Sequence, residues 1–146
     1  MIRIKETVDR ISSIYQTYDP FEICAGMGIL VARISLTESV RGICYTDENG
    51  MAAGINEDLP LHIAKFVCAH ELGHLIMHRG MNSVFMETKT LMSSAKIEKQ
   101  ANMFAMCLLF PDDDEFLSYG DTIQHISIVT GCREELVKLR ISCIKQ

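Results

Sequence analysis

No C-x-x-C pair occurs among the six cysteines of this 146-residue chain. No apolar run approaches the roughly 18–20 residues needed to span a bilayer. Basic residues do not outnumber acidic ones: the formal net charge is −5. Each absence removes a class. The acidic balance argues against a surface that holds nucleic-acid phosphates non-specifically. The missing apolar span argues against a membrane protein, and the stretch after Met1–Glu6 has no signal-peptide character. Cys24, Cys44, Cys68, Cys107, Cys132 and Cys143 sit in apolar or small-residue settings, so they read as reduced thiols in a cytoplasmic protein. Cys68 reads as a packing residue. About half the residues are apolar, enough for one domain with a real core.

What is present centres on Phe66–His78, which contains His70-Glu71-Leu72-Gly73-His74, the H-E-x-x-H pattern of many zinc peptidases. On a helix, residues four apart share a face about one turn, roughly 6 Å, apart. Two imidazoles there can reach one small cation, and neutral imidazole suits Zn²⁺. Glu71 follows the first histidine and stands where a general base would take a proton from a water. The alternative is two satisfied histidines on a half-buried helix. Ala69 and Gly73 leave room beside the pair.

A catalytic zinc site needs a third protein ligand and an open position. His78 continues the spacing but lies roughly 12 Å along the axis from His70. His62 fails on the same distance argument, and position 80, where a metzincin would carry histidine, is Gly80. His125, on the tail, remains open. Glu98 is the other candidate: it is 24 residues beyond His74 on the next long helix, with Ala101 and Asn102 following on the same side. Spacing alone leaves it equally readable as an exposed carboxylate.

The rest of the chain reads as follows. Val8, Ile11, Ile14, Tyr15 and Tyr18 have helical spacing, which predicts an amphipathic helix over 3–18. Asp19-Pro20 caps and opens a short helix from Phe21 to Ala25, ending near Gly26 or Gly28. Ile29–Ile34 predicts a buried strand. Gly42–Thr46 and Met51–Asn56 flank an Asn49-Gly50 hairpin signal, so a three-stranded antiparallel sheet is expected. Pro60 opens the motif helix, which runs to about Arg79 and stops at Gly80. Residues 81–92 read as loop. A long helix starts near Ser93-Ser94 and breaks at Pro111. Asp112–Glu115 reads as favourable charge at a helix N-terminus, not as a calcium loop. Asp121–Ile141 reads as two helices around Thr130-Gly131-Cys132. A helix-turn-helix reader of DNA is disfavoured there by the acidic start of the second helix.

The block Phe66–His78, followed by Ile97-Glu98-Lys99-Gln100-Ala101-Asn102-Met103-Phe104-Ala105 and Leu108-Leu109-Phe110-Pro111, resembles the ImmA/IrrE family of metallopeptidases. Two blocks in the right order are more specific than H-E-x-x-H alone. The resemblance is strongest over 20–111, with 112–146 a helical tail of a single 1–146 metallopeptidase domain. It implies a zincin-like α+β fold, mostly helical, with the small sheet packed beside the motif helix. It also implies Zn²⁺ held by His70, His74 and Glu98, with Glu71 as general base. The implied activity is endopeptidase cleavage of a helix-turn-helix repressor of a mobile element or stress regulon. The chain departs from the family pattern at Gln100, where Glu is frequent, and at Phe110, where Met is common; Gln100 sits where it can alter hydrogen bonds behind the ligands. Tyr45, Tyr119 and His78 are the candidates for stabilising an oxyanion. The competing reading is a non-catalytic, metal-stabilised module that binds a repressor without cutting it.

Overall fold

The computed structural model describes residues 3–86 and 95–144. In chain order the elements are α1 (Ile4–Tyr15), α2 (Pro20–Met27), β1 (Leu30–Ile34), β2 (Val40–Asp47), β3 (Gly50–Asn56), α3 (Leu61–Met77), β4 (Ser83–Met86), α4 (Ala95–Leu109), α5 (Asp113–Ser118), α6 (Ile123–Thr130) and α7 (Glu134–Ile144). This is a mostly helical α+β fold with one small sheet. Helix α3 is its axis. Every residue from Val67 to Leu75 is buried, as expected of a helix that is apolar or small on nearly all sides. It packs on α2, α4 and the faces of β2 and β3.

The expected three-stranded antiparallel sheet is corrected. The sheet has four strands in the order β1-β3-β2-β4. β2 pairs antiparallel with β3 and with β4, whereas β1 runs parallel to β3, with Leu30 opposite Ala52 and Ile34 opposite Asn56. The physical reason lies in β3. Its residues Ala53–Asn56 are buried, and buried backbone donors and acceptors must be paired on both edges. The hairpin therefore inserts β3 between β2 and β1. Asn56 locks this arrangement: its side-chain amide donates to the Val40 carbonyl at 2.9 Å and to that of Thr37 at 3.3 Å.

The outer position also corrects the expectation that Ile29–Ile34 is a buried strand. β1 is an edge, with Leu30 71% exposed. Its Arg33 guanidinium donates to the carbonyls of Asn56, Glu57 and Leu59. A second correction falls in 81–92, read as loop. Ser83–Met86 forms β4, four residues being too few to display a period; residues 87–92 lie outside the described residues.

Helix α1 ends at Tyr15 rather than near 18, because Gln16 turns left-handed at φ 59°. Asp19 caps α2 by accepting from the Phe21 amide at 2.8 Å, and Gly28 ends it at φ 76°. Asp112 likewise caps α5 by accepting from the Glu115 amide. Ser93-Ser94, the expected start of α4, lie outside the described residues. The tail divides at Gly131 as expected, into α6 and α7.

Two apolar clusters hold the fold. The larger gathers Val8, Ile23, Ile55, Val67, Leu72, Phe104 and neighbours around α3. The smaller joins Met106, Phe116, Ile126, Leu136 and Val137 in the tail.

Candidate metal centre

Helices α3 and α4 pack against each other at the motif, where His70 meets Asn102 and Glu98 and His74 meets Glu98. Their close approach depends on Gly73. A Cβ there would come within 3.1 Å of the Cβ, Cγ and Cδ1 of Phe104, so glycine lets the two helices meet at the level of the motif.

The Nε2 atoms of His70 and His74 lie 3.2 Å apart. Glu98 reaches between them, with Oε2 3.0 Å from His70 Nε2 and Oε1 2.9 Å from His74 Nε2. The His70, His74 and Glu98 donor atoms all fall within 4.8 Å of one another, a group that could hold a metal ion. Glu98, which spacing alone left undecided, is thus brought to the histidine pair. His62 and His125 are exposed and take no part in this group.

Each imidazole is oriented from behind. His70 Nδ1 lies 2.7 Å from Asn102 Oδ1, and its ring stacks on Phe85 of β4 at 3.8 Å with 9° between planes. His74 Nδ1 lies 3.0 Å from His78 Nδ1, and His78 Nε2 lies 2.8 Å from Gln100 Oε1. His78 therefore touches a motif histidine and does not reach the cluster itself. Asn102 was legible in sequence as the residue one helical turn beyond Glu98 and as part of the second family block. Phe85 was missed, because it falls in the segment read as loop.

The electrostatics follow from burial. Burial lowers the His70 pKa, the hydrogen bond to Glu98 only partly opposing it, and so favours the neutral ring. Burial alone would raise the Glu98 carboxyl, but hydrogen bonds from His70 and His74 hold it well below the usual carboxylate range. Glu71 is different. Both its oxygens are buried, and neither makes a well-formed hydrogen bond among the described residues, the Cys44 thiol lying near. Burial pushes its pKa up to about 8, with the nearby Cys44 thiol drawing it down part of the way and Glu98 adding to the rise. Cys44, on β2, is itself pushed up to about 12 by burial and by the Glu71 carboxylate. Gly42 of the same strand gives Glu71 its room: a Cβ there would stand 2.6 Å from Val67 Cγ1 and 3.3 Å from Glu71 Oε1.

The other sequence candidates lie elsewhere. Tyr45 is half exposed on β2, and the Tyr119 hydroxyl donates to Glu115 in the tail. No described helix is long and apolar enough to cross a membrane.

Comparison with known proteins bears on the family. Residues 24–142 match the family model of the IrrE N-terminal-like domain, peptidase M78. The chain is 34% identical over 139 residues to "Uncharacterized immunity region protein 2" of Bacillus phage phi105, covering 94% of this chain and 88% of that protein. It is 30% identical over 111 residues to "Metallopeptidase ImmA" of Bacillus subtilis (strain 168), covering 75% of this chain and 64% of ImmA.

Proposed function

The chain belongs to the IrrE N-terminal-like peptidase family, and from that premise we propose that it is a zinc-dependent endopeptidase acting on a helix-turn-helix repressor. The observation that carries this reading is Glu71, a wholly buried carboxylate that makes no well-formed hydrogen bond among the described residues and stands beside three converging donors. Burying an unpaired carboxyl is costly, and a structural metal site has no use for it. A general base does.

The residues fit the metal. Two imidazole nitrogens and one carboxylate oxygen form the His₂Glu donor set of catalytic zinc sites, and the rings are held from behind as ligating rings require. His70, His74 and Glu98 would hold the ion. When bound, zinc lowers the pKa of a coordinated water to about 7 and polarises a carbonyl. Glu71 accepts the water's proton at its carboxylate and returns it to the departing amine. The elevated pKa suits both steps, because a carboxyl near the working pH gives and takes a proton readily. Phe85 and the α3–α4 contact keep the first ring fixed and dry. His78 is engaged on both nitrogens, which removes it as a free oxyanion donor.

The 1–146 chain is read as one domain, supported by Phe66 and Leu139 packing against both apolar clusters. The repressor as substrate rests on the immunity-region relative, and with it the regulation of a mobile element. A cytoplasmic location goes with that substrate.

The test is elemental analysis of protein purified without chelator, followed by incubation with helix-turn-helix repressors of phage-immunity type and intact-mass detection of fragments. About one zinc per wild-type chain is expected, lost in His70→Ala and Glu98→Ala. Glu71→Gln should keep zinc and cut nothing. Zinc retained in Glu98→Ala would refute the ligand set. Full regulatory activity in Glu71→Gln would refute proteolysis in favour of a metal-stabilised binding module.

A further inference from the structure

The two imidazoles facing the cluster end, on their other sides, on carboxamides: His70 on Asn102 directly, His74 on Gln100 through His78. A carboxamide presents an acceptor on one side and a donor on the other, whereas a carboxylate only accepts. A neutral imidazole has one N–H and one bare nitrogen, so each contact in the longer chain constrains the next.

Two patterns satisfy the whole series of contacts. In the first, Gln100 Oε1 accepts from His78 Nε2–H, and His78 Nδ1 is then bare and accepts from His74 Nδ1–H. His74 Nε2 is left with a lone pair facing the cluster. In the second, the amide is turned over and its NH₂ donates to His78 Nε2. His78 Nδ1–H then donates to His74 Nδ1, and His74 Nε2–H donates to Glu98 Oε1, 2.9 Å away. The first pattern can ligate a cation. The second cannot, but leaves no polar group in the series unpaired when the cation is absent.

We propose that Gln100 is a positioning residue that lets the site exchange its cation: by turning its amide over, it satisfies the His78–His74 relay in both the loaded and the metal-free protein. This rests on the metallopeptidase reading of the same site. Each ring keeps one proton throughout. On loading, the His78 Nδ1 proton passes to His74 Nδ1 across the 3.0 Å contact, His74 Nε2 gives its proton to water and His78 Nε2 takes one from water, so no net charge moves. A carboxylate at position 100 would accept only and would hold the relay in the ligating pattern.

Two measurements test this. In protein labelled with ¹⁵N-histidine, His78 should carry its proton on Nδ1 without metal and on Nε2 with zinc. In Gln100→Glu it should stay on Nε2 in both states. Competition with a chromogenic chelator should show zinc bound roughly tenfold tighter by Gln100→Glu than by wild type. The gain should vanish when His78→Ala is added to both, because the relay is then cut. A gain that survives His78→Ala would mean simple charge attraction and overturn the proposal, as would a His78 tautomer that does not change on loading. Zinc binding by wild type with no gain in Gln100→Glu overturns this proposal alone. A wild type that binds no zinc overturns the metallopeptidase reading, and this proposal with it.

Discussion

Glu71 and Arg140 are both fully buried ionisable residues, yet the protein treats them in opposite ways. Arg140, on α7, is anchored. Its Nε donates to the Phe110 carbonyl at 2.8 Å and its Nη2 to that of Pro111 at 3.4 Å, Asp113 pairs with it, and its guanidinium lies 5.5 Å from the Phe116 ring centroid. Only Nη1 lacks a partner among the described residues. Glu71, on α3, has no well-formed hydrogen bond at either oxygen among the described residues. A buried charge that serves the fold is hydrogen-bonded, because an unpaired one costs more than its burial returns. A buried charge left unpaired is sustained by the surrounding packing for another purpose. The tail cluster uses its charge to close the turn after α4; Glu71 in the α3 cluster has no such anchor among the described residues, as its proposed proton-transfer role requires.

The largest difference should appear when each charge is removed. Glu71→Gln should lower repressor cleavage by about 10²–10⁴-fold while leaving the urea midpoint of the metal-free protein unchanged or higher, since a neutral amide is easier to bury. A clear loss of stability would show that Glu71 has a structural partner, and the comparison would fail.

Arg140→Met should do the reverse. It leaves the Phe110 and Pro111 carbonyls without their donor and should cost about 2–4 kcal/mol in urea unfolding. Asp113 is 43% exposed, so water can take over part of that pair. Zinc content should remain near one per chain in the folded fraction. Should Arg140→Met instead cost less than about 1 kcal/mol, the anchoring would be cosmetic and the contrast with Glu71 lost.

The same contrast explains what could be read in the sequence. His70, Glu71 and His74 were legible because helical spacing fixes their relation within one element. Glu98 was not decided by spacing, because its place depends on how two helices pack; the second sequence block, through its family resemblance, singled it out. Asn102 followed from Glu98 by one helical turn. Phe85 was invisible, since β4 is four residues long and acquires its identity only by pairing with β2. The hairpin was legible from Asn49-Gly50, but the parallel pairing of β1 with β3 was not. Strand order is set by which backbone must be buried on both edges, and that is a property of the assembled sheet. Arg140 carried no signal at all: one basic residue in a mixed-charge helix reads as solvated until the turn at Phe110-Pro111 is seen to fold under it.

The smallest effect expected is also the one whose sign is a balance. Gly73→Ala gains about 1 kcal/mol of helix propensity in α3. Against this, the new methyl would sit 3.1 Å from three atoms of Phe104, which is itself fully buried. Overpacking of this kind costs about 1–3 kcal/mol, so the net change in stability should be a loss of no more than about 2 kcal/mol. Relief requires Phe104 to give by a few tenths of an ångström, and where this buried ring cannot turn aside, α3 and α4 must part. That separation acts on the contacts that span the two helices at the cluster, Glu98 against His70 and His74 and Asn102 against His70. Zinc affinity should therefore fall as well, by about tenfold on the scale of a displaced ligand support, with cleavage falling alongside it. Stability lost with affinity intact would place the strain in the Phe104 rotamer alone. The distance between α3 and α4 would then not be what tunes the site.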